Sequence, residues 1–229
     1  MQIHETVAFI ERLISLIDYR PIKKSDFQRV RRLINQTWQI DRFCSDEKLL
    51  ETGLDLFLRS SLMHSNYTLV AEENGEVVGF ILGRTDRDFN LFGTLFRHLP
   101  QILWKTLLFI AQNKRNQKLL QFVGVLNSSY KKILKVVKTK FDGELVLFIV
   151  DRKQQGKGIG KTLLNHFLDT CRSKSIRRLR VFTDTECNYG YYDHNGFRRL
   201  HELQTAAEML QGTLPLTIFL YEYPLGVHE

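Results

Sequence analysis

The chain has 229 residues, of which 43% are hydrophobic and 25% are charged, which is enough apolar material for a sizeable core and excludes a low-complexity chain. Its formal net charge is +8, yet residues 87–140 hold eleven Lys or Arg residues and one acidic residue, so this segment supplies the whole excess. Such an asymmetry argues against a generally basic nucleic-acid-binding protein, and we expect no nucleic-acid partner.

The cysteines and the N-terminal residues indicate the compartment. Cys44, Cys171 and Cys187 are odd in number and lack the spacing of a metal site, which predicts free thiols, a reducing compartment and no bound metal. The first residues lack the basic start and the uninterrupted apolar core of a signal peptide. No window reaches the roughly 18 uncharged apolar residues that a membrane span needs. We therefore expect a soluble, cytoplasmic protein.

The first residues of the chain predict three helices. Residues 1–17 carry apolar positions at helical spacing and predict an N-terminal helix. After a short strand and a turn, a second helix is expected with Ser25 or Asp26 as its N-cap. A third helix is expected to begin at a cap signal at Ser45.

A hairpin and a basic helical segment come next. Asn74-Gly75 lies between two β-rich runs and is a strong hairpin signal, with strands expected near 67–73 and 76–85. Residues 87–140 then interrupt the strands. Their last part, SSYKKILKVVKTK, has one apolar face and one lysine face at helical spacing, so the segment is both apolar and cationic.

The second half of the chain alternates strands and helices. An apolar strand begins at Glu144 and leads through a glycine turn into a helix over about 158–173. RRLRVFTD predicts a further strand, NYGYYDHNGF a short helix and LPLTIFLYEY a last strand. This order predicts an α/β protein with a mixed sheet and helices on its faces, organised as a single domain over 1–229.

Three glycines, Gly156, Gly158 and Gly160, lie where the strand ends and the helix begins. The first turn of a helix has unpaired N–H groups and the positive end of the helix dipole, and a residue without Cβ lets an anion approach them. Lys157 and Lys161 add positive charge, so the turn suits a pyrophosphate. It is one residue short of a P-loop and lacks the third glycine of the dinucleotide fingerprint. The glycines alone also allow a flexible connection that binds nothing.

Two motifs in this region resemble those of the GNAT family of N-acetyltransferases. QQGKGIGKTLL, which follows ELVLFIV, resembles the family's acetyl-CoA motif Gln/Arg-x-x-Gly-x-Gly/Ala. NYGYYDHNGF resembles the family's later helix with Asn, Tyr and Gly-Phe. The resemblance covers about residues 142–200. It implies a GNAT-like, mostly antiparallel sheet flanked by helices, with 87–140 as a helical insertion between the third and fourth strands.

The resemblance also implies an activity and a set of site residues. The enzyme would transfer an acetyl group from acetyl-CoA, its co-substrate, to a primary amine by direct attack through a tetrahedral intermediate. Backbone amides of the glycine turn would hold the CoA pyrophosphate, and the preceding strand and an asparagine would hold the pantetheine arm. The cofactor-binding residues implied are Phe148, Ile149, Val150, Gln155, Gly156, Lys157, Gly158, Ile159, Gly160, Lys161 and Asn188.

Catalytic roles follow from the same resemblance. Tyr192 would protonate the departing sulfur, unless it serves only to pack its helix, and an N–H near Val150 would stabilise the oxyanion. Glu144 is a candidate base because an acidic residue there serves as the base in some family members, although a solvated strand-end carboxylate is the alternative. Asp184 and Glu186 are rivals for this role.

The insertion over 87–140 departs from the compact family pattern, and three interpretations stay open. It could be a helical cap over the acceptor pocket, a homodimer surface, or a peripheral contact with an anionic membrane. The acceptor, a small-molecule or peptide amine, cannot be identified, although a cationic insertion would favour acidic or neutral amines. A non-catalytic acyl-CoA-binding, membrane-surface or interaction module on the same fold also stays open.

Overall fold

The computed structural model describes residues 17–90, 99–100, 102–104, 106–107, 109 and 117–226. Within them, one sheet contains seven strands: β1 (Asp18–Arg20), β2 (Tyr67–Glu73), β3 (Glu76–Thr85), β4 (Gly143–Val150), β5 (Arg178–Asp184), β6 (Arg198–Glu208) and β7 (Thr213–Pro224). They are hydrogen-bonded in the order β1-β2-β3-β4-β5-β7-β6. Only β4 and β5 are parallel, and every other neighbouring pair is antiparallel. The prediction of a mixed, mostly antiparallel sheet is confirmed.

Helices cover both faces of the sheet: α1 (Phe27–Trp38), α2 (Glu47–Met63), α3 (Gln117–Val136), α4 (Ile159–Ser173) and α5 (Gly190–His194). Successive side chains of a strand point to opposite faces, so β3 contributes to two cores. Phe80 and Leu82 pack with α1, α2 and α3, whereas Ile81 packs with Leu163 and Phe167 of α4. The sheet therefore separates the three helices α1 to α3 from α4 and α5.

The predicted hairpin has the bounds expected from the sequence. β2 and β3 span Tyr67–Glu73 and Glu76–Thr85, and both turn residues are left-handed, with φ of 54° at Asn74 and 80° at Gly75. A two-residue turn with two positive φ angles matches the twist of its strands, which explains why Asn-Gly is favoured there.

The helix starts differ from the prediction in detail. Asp26 does precede α1, but its carboxylate makes no cap bond to that helix. It accepts hydrogen bonds from the backbone N–H of Lys23 at 2.7 Å and from the guanidinium of Arg20 at 2.8 and 2.9 Å. The cap of α2 is Asp46 and not Ser45, because the Asp46 carboxylate accepts from the Leu49 N–H at 2.9 Å.

Strand β6 was not predicted from the sequence. It is an edge strand, and most of its residues are exposed. Its conformation comes from pairing along its whole length with β7, from Arg198 opposite Glu222 to Glu208 opposite Thr213. An edge strand with few apolar residues has little alternation to reveal it.

The segment between β3 and β4 contains α3 and packs into the main core. Phe122 stacks on Phe43 with ring centroids 4.5 Å apart, and Ile133 is fully buried beside β7. The lysines at 131, 132, 135 and 138 are exposed, so this helix has the predicted apolar and cationic faces. Helical backbone is also described at 99–100, 102–104, 106–107 and 109.

Two further predictions concern an N-terminal helix and membrane-spanning segments. The helix expected over 1–17 lies outside the described residues, apart from Ile17. Across the described ranges, none of the helices combines the length and the apolar character that a membrane crossing requires.

Gly83 allows α4 to lie close against the sheet. A Cβ on Gly83 would lie 2.3 Å from two ring carbons of Phe167, which is fully buried. Because the ring has no free space to enter, we expect Gly83→Ala to destabilise the protein by about 1–3 kcal/mol. Urea unfolding measures the effect. Gly124→Ala in α3, where an added Cβ meets nothing within 4 Å, is the control, and an equal unfolding midpoint in both variants would contradict the prediction.

Candidate active site

Strand β4 pairs with β5 at three positions only and then leaves it. The last of these pairs is Leu145 with Val181. At the same point the pairing of β4 with β3 slips, and Val146 is an extra residue between Leu145 and Leu147. Such a β-bulge bends its strand and increases the local twist. We attribute the divergence of β4 from β5 to this bulge.

The divergence leaves backbone groups of β4 without a neighbouring strand. The N–H of Asp151 donates to the carbonyl oxygen of Val78 in β3 at 2.8 Å. Backbone groups alternate sides along a strand, so Ile149 also faces β3. The N–H and C=O groups of Phe148 and Val150 therefore face the gap, where an extended ligand could pair with them. Within this structure the Val150 carbonyl oxygen accepts from the Gln155 side-chain amide at 3.5 Å.

The glycine turn that follows β4 exposes the start of α4. Gly156 and Gly158 have φ of 82° and 81°, a left-handed conformation that favours glycine. A Cβ on either residue would meet nothing within 4 Å. The Thr162 N–H is bonded to the Gly158 carbonyl oxygen at 3.0 Å, so the three N–H groups between them have no acceptor within the helix. Free N–H groups at the positive end of a helix have the geometry and charge that suit an anion.

The gap between β4 and β5 opens into a cleft of about 740 Å³. The cleft extends from the glycine turn to residues of α1, α2 and α3 on the other face of the sheet. Most of the residues implied by the two sequence motifs line it: Phe148, Ile149, Val150, Gln155, Gly156, Gly158, Ile159, Gly160, Lys161, Asn188 and Tyr192.

Two of the predicted site residues do not line the cleft. The exposed Lys157 directs its Nζ toward Glu73 Oε1 at 3.4 Å. Glu144 lies between its cross-strand neighbours on β3 and β5, with Oε2 2.7 Å from Arg180 and 3.0 Å from Arg84. Two guanidinium groups hold this carboxylate, so its placement does not fit the predicted role of a base in the cleft.

Tyr192 lies on α5 in a cluster of aromatic rings beside the cleft. Its ring centroid is 5.0 Å from that of Phe197 and 5.5 Å from that of Tyr221, and the residue is 7% exposed. Burial raises the pKa of Tyr192 above its ordinary value, so the hydroxyl stays protonated at neutral pH. A protonated hydroxyl is what a donor to a departing sulfur requires.

Asp184 ends β5 on the opposite face of the sheet and also lines the cleft. It is buried, and burial raises the pKa of its carboxyl group. Trp38 Nε1 donates to Asp184 Oδ2 at 3.2 Å, and the Glu186 N–H donates to Oδ1 at 2.9 Å. The Cys187 thiol is a third donor. A buried carboxylate held by uncharged donors, but without an ion-pair partner among the described residues, can accept a proton.

Several lining residues were not predicted from the sequence. Arg152 lies beside the glycine turn and adds a cation to the rim. At the other end four aromatic residues line the cleft: Trp38, Phe57, Tyr130 and Phe182. Trp38 contacts Phe57 edge to face at 5.8 Å, and Tyr130 stacks on Phe182 at 4.3 Å. No sequence signal links the four, because they come from α1, α2, α3 and β5.

The sequence matches one protein-family model, that of the acetyltransferase (GNAT) family, over residues 28–197. The chain belongs to this family. GNAT proteins are acyltransferases that use acetyl-CoA, so the predicted enzyme class and co-substrate are confirmed. No curated protein matches the sequence.

Solved structures share the GNAT fold with this chain at low sequence identity. An N-acetyltransferase from Staphylococcus aureus Mu50 is 18% identical with a TM-score of 0.53, covering 93% of this chain and 100% of its own. The protein yncA from Salmonella typhimurium, solved with its cofactor acetyl-CoA, is 15% identical with a TM-score of 0.50, covering 94% of this chain and 97% of its own. The ribosomal-protein-S18-alanine N-acetyltransferase from Escherichia coli is 11% identical with a TM-score of 0.52, covering 93% of this chain and 97% of its own. At these identities the likeness shows the fold.

Proposed function

We propose that this GNAT protein transfers the acetyl group of acetyl-CoA to a primary amine by direct attack in the cleft between β4 and β5. One observation carries the proposal: a single cleft joins the anion site at α4, the free edge of β4, a protonated Tyr192 and a buried Asp184. Each of these features meets one need of the reaction, and together they lie along one path.

The residues of the cleft fit acetyl-CoA. The free N–H groups at the start of α4 suit a pyrophosphate, and the left-handed Gly156 and Gly158 leave room for it. The backbone groups of Phe148 and Val150 that face the gap can pair with the amides of a pantetheine arm as a strand would. Asn188 lies farther along the lining and would bind the same arm. Gln155, Ile159, Gly160 and Lys161 complete the turn, with Lys157 as a rim charge.

The bound cofactor supplies an acetyl thioester, whose carbonyl oxygen gains negative charge when an amine attacks. The Val150 N–H, which faces the gap, would donate to that oxygen. Tyr192 would donate to the sulfur as the carbon–sulfur bond breaks. Holding both reactants in one cleft supplies a large part of the rate, since effective molarities reach on the order of 10⁵ M or more in favourable cases.

Asp184 is the base that the structure favours. It lies on the face of the sheet covered by α1 to α3, whereas Tyr192 belongs to the core on the α4 face. An amine entering from the Asp184 side would meet the base first and then attack the carbonyl group, and the thiol would leave on the Tyr192 side. The proton would pass from the attacking nitrogen to an oxygen of Asp184.

The contacts of α3 favour the interpretation of 87–140 as a cap over the acceptor pocket. Tyr130 of this helix lines the cleft, whereas Lys131, Lys132 and Lys135 are exposed and do not line it. None of the described lysines of α3 lines the cleft, so this helix gives no support to the expectation that a cationic insertion would favour acidic or neutral amines.

The proposed function is tested by measuring CoA release from acetyl-CoA across a panel of primary amines, together with the shift in melting temperature that acetyl-CoA causes. We expect both signals, and we expect Gly160→Ala to weaken them. An added Cβ there would lie at ordinary contact distances of 3.4 Å from Phe148 and 3.5 Å from Val150. Alanine also has a higher helix propensity than glycine. The variant should therefore fold at least as stably, while its methyl group obstructs the cofactor and raises the KM for acetyl-CoA about 10-fold or more.

Binding without turnover would point instead to a non-catalytic acyl-CoA-binding module. The presence of both Tyr192 and Asp184 in the cleft supports catalysis, since a site that only binds has no use for a proton donor and a proton acceptor on opposite sides. Absence of both signals with acetyl-CoA would remove the proposal.

A further inference from the structure

The end of the cleft opposite the glycine turn has its own chemistry. Its lining combines the four aromatic residues of α1, α2, α3 and β5 with two acidic residues, Asp184 and Glu186. Arg42 forms an ion pair with Glu186, which neutralises that carboxylate. Asp184 accepts from the Trp38 ring N–H, the Glu186 backbone N–H and the Cys187 thiol, and none of these donors is a cation. Among the described residues at this end, Asp184 is therefore the carboxylate without an ion-pair partner.

These groups lie around one space. Trp38 joins them, because its Nε1 donates to Asp184 while its ring contacts Phe57. Tyr130 and Phe182 form a stacked pair at the same end, and Phe182 is two residues before Asp184 in β5. A carboxylate surrounded by aromatic faces favours the binding of a cation, and apolar walls favour an uncharged group attached to that cation.

Resting on the proposed function, we infer that the acceptor is a compact primary amine whose only charge is its ammonium group and whose body is apolar, preferably aromatic. Asp184 holds the ammonium group, and Phe57 and Tyr130 contact the body. A carboxylate on the acceptor would be repelled by Asp184. A second ammonium group would lose its hydration without a second unpaired carboxylate to bind, and attraction to an aromatic face is too weak to offset that cost. The site therefore selects against both amino acids and polyamines.

The inference is tested by comparing kcat/KM for 2-phenylethylamine, methylamine, glutamate, spermidine and a peptide with a free N-terminus. We expect kcat/KM for 2-phenylethylamine to exceed the values for glutamate, spermidine and the peptide by about 100-fold. In Phe57→Ala, the ratio of kcat/KM for 2-phenylethylamine to that for methylamine should fall by about 10–100-fold. Phe57→Leu keeps the apolar volume and should give a smaller loss, which guards against a folding defect in the alanine variant. Trp104→Ala removes an aromatic residue that is 64% exposed and is the matched control, for which no change is expected.

The outcomes separate the inference from the proposed function. A shift in melting temperature with acetyl-CoA, combined with fastest CoA release to glutamate, spermidine or the peptide, overturns the inference alone. The same shift with no CoA release above hydrolysis for any amine overturns both the inference and the proposed transfer. The absence of any acetyl-CoA effect overturns the proposed function. An unchanged preference in both Phe57 variants would also overturn the inference, because the pocket would then lie elsewhere.

Discussion

Replacing Tyr192 with phenylalanine should lower the rate of acetyl transfer by about 10²-fold or more, the scale expected when a proton donor is lost. The ring is packed among Phe197 and Tyr221 and would keep its place, so the fold and the affinity for acetyl-CoA should change little. Only the hydroxyl is removed. Its raised pKa keeps the hydroxyl protonated at neutral pH, so that it can donate to the departing sulfur. In the variant, that sulfur develops its negative charge without a donor.

Tyr191→Phe is the matched control for this prediction. The Tyr191 hydroxyl is also buried near the cleft but has no hydrogen-bond partner among the described residues, and its ring contacts Phe148 edge to face at 5.5 Å. Removing a buried hydroxyl without a partner costs little or stabilises the protein. Single-turnover rates should be measured, because slow product release would hide a chemical effect in kcat. Equal rates for Tyr192→Phe and the wild type would end the assignment, and a loss in Tyr191→Phe alone would transfer the role to that residue.

The cofactor end of the cleft could be predicted because its features are local. Positive φ angles at Gly156 and Gly158, the start of α4 and the strand before it all depend on residues close together in the chain. Tyr192 could be placed for a similar reason, since its short helix carries a motif of ten residues. Neither prediction required knowledge of how distant segments meet.

The acceptor end could not be predicted, because distant segments create it. Trp38, Phe57, Tyr130 and Phe182 each satisfy an ordinary amphipathic or apolar pattern within their own element. Glu144 shows the converse. Its position at the start of β4 suggested a base, but the register of the sheet places it opposite arginines of both neighbouring strands, and no local pattern reveals that register. The charge pattern of α3 predicted its two faces, because burial of the apolar face leaves Lys131, Lys132 and Lys135 exposed to solvent.

Replacing Asp184 with asparagine should lower the rate of transfer by about 10²-fold at neutral pH and change its dependence on pH. A base acts in its deprotonated form, so the wild-type rate should rise as the pH rises through the pKa of Asp184. Burial raises that pKa, which places the rise above the range of an exposed aspartate. The variant lacks this base, so transfer requires that the amine first lose its proton to solvent. Its deficit should therefore shrink as the pH approaches the pKa of the amine, about 10 for a lysine-like group.

An acceptor with a low pKa provides the sharpest form of this test. 2,2,2-Trifluoroethylamine is largely neutral at neutral pH, so it needs less help from a base, and we expect its rate to fall far less in Asp184→Asn than the rate of 2-phenylethylamine. Glu144→Gln, which weakens ion pairs with Arg84 and Arg180 outside the cleft, should show no such selective loss. If Glu186→Gln or Glu144→Gln gives the selective loss and Asp184→Asn does not, that residue is the base. A uniform loss for every amine in Asp184→Asn would mean that Asp184 positions Trp38 and the loop after β5, because disturbed positioning lowers all rates alike and is blind to the pKa of the acceptor.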